Sequence, residues 1–157
     1  LRGYRDVFAA YPGIKLEVID AKGDAALVFD KTRQILEQRA SQVDGFLCLV
    51  SLAAPEVVEQ LERNKVTNKV VIAMDGVDRT LEGIKKGYVN ATIVQRPYTM
   101  AYFATRMLAD LKLFPPAELT SSEPVNPSAP VPTFVDCGSF VVDKSNVESF
   151  RQNAPRA

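Results

Sequence analysis

Apolar positions along the chain fall into two alternating periods. Residues 2–11 read as an amphipathic helix, with Tyr4, Val7, Phe8 and Tyr11 on one face. Residues 15–20 (KLEVID) read as a short strand, closed by the turn Ala21-Lys22-Gly23. Asp24 is placed to cap a helix running to about Ala40, with Ala25, Val28, Phe29, Thr32, Ile35 and Leu36 as its buried stripe. Residues 45–50 (GFLCLV) and 69–74 (KVVIAM) are continuous apolar runs, as expected of strands covered on both faces. Between them a helix starts near Ala54, with Pro55 in its first turn and Val57, Val58 and Leu61 inward. After the second run, Asp78 or Thr80 opens a short helix carrying Leu81 and Ile84, stopped by Gly87. Residues 91–95 (ATIVQ) make a fourth strand. Pro97 then starts a helix to about Leu113, with Ala101, Tyr102, Thr105, Leu108 and Lys112 at helical spacing.

Apolar strands separated by helices predict an α/β fold, a doubly wound parallel sheet with helices on both faces. Past Phe114 the pattern breaks. Residues 115–132 hold six of the ten prolines, which predicts an exposed loop with polyproline character. A last strand is expected over residues 134–142 (FVDCGSFVV), followed by a capped turn and a polar tail from Asn146. The chain opens on Leu1, already inside an amphipathic helix, and reads as a mature or proteolysed piece of a longer protein.

Composition narrows the function. The 157 residues suit one domain of ordinary size, with 46% hydrophobic and 24% charged positions and nineteen charges of each sign. That balance excludes a disordered chain and offers nucleic acid no basic surplus. No apolar run approaches the roughly eighteen residues of a membrane span. There is no histidine, the commonest general base and metal ligand, and the two cysteines make neither a zinc site nor a disulfide framework. With no GxGxxG or P-loop run either, neither a nucleotide cofactor nor a metal is expected, and binding is favoured over catalysis.

In an open parallel sheet, ligands bind beyond the carboxyl ends of the strands. That rule selects Asp20, Ser51, Asp75 and Gln95. An ionised carboxylate at Asp75 accepts hydrogen bonds from hydroxyls, and the amide of Gln95 both donates and accepts. Together they suit a neutral polyhydroxylated ligand. The plain alternatives are a tight turn at Asp75-Gly76 that caps the next helix, and an ordinary polar residue before Pro97. Cys48 lies mid-strand and reads as a buried, inert thiol, as does Cys137; a bridge between them has no local motif behind it. Lys85, Lys86 and Arg79 read as a solvated helix face. Tyr98 and Tyr102 read as core or rim, with stacking on a sugar the second reading.

Five segments, RGYRDVFAAYPGIKLEVIDAKGD, DGFLCLVSLAAPEVVEQL, KVVIAMDG, EGIKKGYVNATIVQRP and FVDCGSFVVDKSNV, resemble in order and spacing the C-terminal half of ribose-binding-like solute-binding proteins. These are the type I periplasmic receptors of sugar ABC transporters. The likeness covers about residues 1–114 and 134–148. It implies that Asp75 and Gln95, twenty residues apart, contact the sugar beside the hinge. Where members often carry Asn-Asp, this chain has Val50-Ser51-Leu52, leaving Ser51 as the replacement. The resemblance further implies a distal ligand-binding lobe over residues 1–95, incomplete at its N-terminus. A helix and Pro-rich loop over residues 96–133 would pack on a missing N-terminal lobe or a second chain, and residues 134–157 would be hinge strand and tail. The implied protein binds a sugar or polyol between two lobes and delivers it to a membrane ABC permease, catalysing nothing, in the periplasm or outside the cell on a lipid anchor. The alternative of the same fold is the effector-binding domain of a lactose-repressor-like transcription regulator.

Overall fold

The computed structural model describes residues 1–115, 132 and 134–153. The Pro-rich loop expected over residues 115–132 lies almost wholly outside them. The elements in chain order are α1 (Arg2–Phe8), α2 (Ala25–Arg39), a 3-10 turn (Ala40–Gln42), β1 (Gly45–Leu47), α3 (Ala53–Arg63), β2 (Val70–Met74), α4 (Asp78–Lys86), β3 (Ala91–Gln95), α5 (Pro97–Leu113), β4 (Ser139–Asp143) and α6 (Val147–Asn153). The strands form one sheet in the order β1-β2-β3-β4. β1 runs parallel to β2 with Phe46 opposite Val71, and β2 runs parallel to β3 with Ala73 opposite Thr92. The chain is α/β, as the alternation of periods predicts. It divides into two compact units, residues 1–94 with the segment from 141, and residues 95–140.

The first unit holds the core. Asp24 caps α2, its carboxylate accepting from the amides of Ala26 (2.8 Å) and Leu27 (3.2 Å). Val28, Thr32 and Ile35 are the buried stripe of α2, while Ala25 of the expected stripe stays exposed in the first turn. Val57, Val58 and Leu61 of α3 and Leu81 and Ile84 of α4 are buried as their spacing requires. α2 packs on α3, and α3 on both α4 and β2. The C-terminal carbonyls of α4 are closed by Gly87 at φ 84°, a left-handed turn that a side chain would strain. Lys86, in the last turn, pairs with Glu62 at 2.8 Å.

Four expectations need correction. Residues 15–20 form no strand: they pair with no neighbour among the described residues, and Val18 and Ile19 are exposed. Glu17 instead makes a two-pronged ion pair with Arg39. Among the described residues burial alternates along β2, with Val71 and Ala73 wholly buried and Val70 half exposed, so one face of that strand is less covered than its continuous apolar run predicts. The last strand is shorter than residues 134–142, since Asp136 accepts from the amide of Gly138 at 2.7 Å, and Gly138 at φ 80° turns the chain before β4. The polar tail from Asn146 is the helix α6. Val147 anchors it, while Lys85 reaches Glu148 and Arg151 reaches Glu82, both from α4.

In the second unit, α5 spans Pro97–Leu113 as expected, but none of its residues is buried. The rings of Tyr98 and Tyr102 stack at 6.5 Å, and the ring of Phe103 meets Tyr102 edge-on.

Candidate functional site

Three parallel strands deliver their carboxyl ends to one edge of the sheet, and α3 and α4 start there. Ser51 lies, half buried, in the turn between β1 and α3. The backbone closes that turn by a bond from the amide of Ala53 to the carbonyl of Val50 (3.1 Å). Asp75 follows directly on β2 and is half buried. Gln95 is the exposed last residue of β3. Asp20 is at no strand end; its carboxylate accepts from the amide of Lys22 at 2.8 Å and shapes the local turn.

Asp75 has an unusual backbone. Its φ is 66°, in the left-handed region that only glycine, asparagine and aspartate visit readily. The turn half of the plain alternative therefore holds. The capping half does not match, since the N-cap of α4 is Val77. Two hydrogen bonds grip Asp75, one on either side of its Cα: its amide donates to the carbonyl of Ile93 (2.8 Å), and its carbonyl accepts from the hydroxyl of Thr92 (2.7 Å). Gly76 follows, and a Cβ there would stand 3.0 Å from the ring of Phe150 on α6. The left-handed backbone of Asp75 is thus fixed on both sides of its Cα. Thr92 escapes a reading of the sequence because a threonine inside a strand is unremarkable. Its one signal is a hydroxyl within an otherwise apolar run.

The other candidates settle as structural groups. Cys48 is buried, and desolvation pushes its thiol up to about 12, the reverse of an activated nucleophile. Cys48 and Cys137 are both free thiols, so no bridge joins them. Arg79 of α4 pairs with Glu59 of α3, which also meets Arg63 one turn along its own helix, so Arg79 ties α4 to α3. Tyr98, Tyr102 and Arg106 share one open face of α5, with Tyr98 80% exposed. Among the described residues both rings are exposed. Among the described residues no cluster could hold a metal ion, and no helix is long and apolar enough to cross a membrane.

Comparison with known proteins now bears on this geometry. A family model described as a periplasmic binding protein domain matches residues 1–113. The chain belongs to that family. No curated protein sequence matches it. Among solved structures, an ABC transporter solute-binding protein from Burkholderia graminis in complex with D-arabinose is similar, with a TM-score of 0.76 at 27% identity over 94% of this chain and 48% of that one. A glucose-galactose binding protein from Geobacillus stearothermophilus is similar with a TM-score of 0.75 at 24% identity, over 92% of this chain and 47% of that one. An arabinose binding protein from the same organism gives a TM-score of 0.75 at 24% identity, over 95% and 50%. The periplasmic-binding-protein chain described here thus spans about half the length of the solved structures it matches.

Proposed function

We propose that this periplasmic binding domain is the C-terminal lobe of a receptor that binds a sugar or polyol between two lobes and hands it to an ABC permease in the membrane. The observation that carries the reading is the family match together with the 27% identical neighbour that holds D-arabinose. In such a receptor no bond is made or broken, and its place is the periplasm or the outer face of the cell. Nothing in the fold or the comparisons favours the regulator reading.

Asp75, Gln95 and Ser51 are the ligand groups in this proposal. Their support is their place at the carboxyl ends of parallel strands, where loops and helix N-termini converge. The left-handed Asp75, held from both sides, strengthens it. A carboxylate accepting from two sugar hydroxyls makes charge-assisted bonds, stronger than neutral ones. The lobe boundaries proposed from the resemblance, at 95 and at 134, are supported at the first by the division of the chain between 94 and 95. The compact second unit extends to residue 140. The other half of the receptor is proposed to cover α5, whose exposed Leu108, Leu113 and Phe114 would otherwise face water.

Asp75→Asn in the intact protein tests the site. Asparagine tolerates the left-handed backbone, so stability should change by less than about 1 kcal/mol, whereas sugar affinity should fall about a hundredfold as charged hydrogen bonds are lost. Titration calorimetry with the bound sugar reads the second effect. Unchanged affinity removes Asp75 from the site.

A further inference from the structure

We propose that Thr92 is the positioning residue of the sugar site, fixing the backbone from which the Asp75 carboxylate projects without touching ligand; the proposal rests on Asp75 being a ligand group. Thr92 is fully buried in β3, opposite Ala73 of the neighbouring strand. Most buried hydroxyls find a partner, and this one donates at 2.7 Å to the carbonyl of Asp75 rather than to its own strand. The amide of the same residue is held by Ile93 at 2.8 Å. With N–H and C=O both fixed, rotation about N–Cα is fixed too, and so is the Cα–Cβ direction. Left alone, an aspartate in the left-handed region relaxes readily to extended backbone. The hydroxyl of Thr92 removes that freedom.

Beyond the turn, Gly76 lies close to the ring of Phe150, and a Cβ there would crowd that ring at 3.0 Å. α6, which carries Phe150, is fastened to α4 by Arg151 on Glu82 and by Lys85 on Glu148. The turn after β2 is therefore held from inside the sheet by Thr92 and from outside by α6. Preformed donors and acceptors bind more tightly because the cost of ordering them is met on folding.

The test compares the intact protein with its Thr92→Val and Thr92→Ser variants. Amide exchange at Asp75 and Gly76 is followed by NMR, and affinity by calorimetry with D-arabinose, L-arabinose, D-galactose and D-fucose. Valine keeps the shape and deletes the donor. Exchange at Asp75 should rise and affinity fall, each roughly tenfold, as expected for one lost hydrogen bond, while serine restores both. Equal exchange and equal affinity in Thr92→Val, or failure of serine to restore them, overturns the proposal. Phe150→Leu serves as a second variant should valine prevent folding: it loosens the outer side of the turn, and unchanged exchange at Gly76 contradicts the two-sided hold. If none of the four sugars binds, or Asp75→Asn binds like the unaltered protein, the fault lies in the sugar-site reading. The exchange readout then still shows whether Thr92 holds the turn.

Discussion

Cys48 and Asp75 directly follow the neighbouring strands β1 and β2, Cys48 just past the strand in whose middle the sequence places it, and show how burial decides what a residue can do. Cys48 is 4% exposed within the core, and burial pushes its thiol up to about 12. At neutral pH it stays protonated and shielded. In the folded protein Cys137, which is only half buried, should therefore react with a thiol reagent such as DTNB well before Cys48. Denaturant should release the second thiol, and fast labelling of both in the native state would contradict the burial of Cys48. At Asp75 the sequence shows the residue type and the strand end, because a charged residue straight after VVIAM is conspicuous. It does not show the left-handed φ or the bond from Thr92. Those depend on the register that sets Ala73 against Thr92, a contact nineteen positions apart along the chain.

Elements were legible where the chain carries its own punctuation. Asp24 before α2, Gly87 after α4 and Pro97 at the start of α5 each mark a helix end by local chemistry, and all three stand where the pattern places them. Residues 15–20 misled because alternation reports which side chains are apolar, whereas a strand also needs a partner. α6 was hidden for the opposite reason. Its sequence VESFRQN is mostly polar, and ion pairs with α4 stabilise it together with the buried Val147. Such pairs join the helices at many points, and they give the stability a pH dependence. Hydrogen bonding to Arg79 holds Glu59 below the usual carboxylate range, and the hydroxyl of Ser145 does the same for Asp143. Both groups lose a proton more readily folded than unfolded, so their contribution is present above their unfolded pKa and fades as pH falls through the folded one. The melting temperature should be level from about pH 8 to pH 5 and decline below about pH 4. Both groups are half-buried and still reached by solvent, so the decline should be modest and weaken in about 0.5 M salt. A decline that begins above pH 6 would point to other groups.

For the whole molecule, the matched structures run to about twice the length of this chain, and α5 is an apolar helix with no buried residue. Its pattern gave away the helix but not its environment, since what covers a helix is decided by what lies opposite. Under the proposed two-lobe receptor, Leu108, 68% exposed here, becomes interior. Leu108→Glu in the intact protein should then cost at least about 2 kcal/mol in a denaturant titration, the penalty of burying an unpaired charge. A change within about 0.5 kcal/mol would mean that face stays in water. The central claim, that the intact protein is a sugar receptor, is tested most directly by thermal melting against a panel of pentoses, hexoses and polyols. A sugar present at about a hundred times its dissociation constant adds about 2.7 kcal/mol to the folded state. The expected result is a rise of several degrees for one small group of related sugars. An unmoved melting temperature across the whole panel would contradict it.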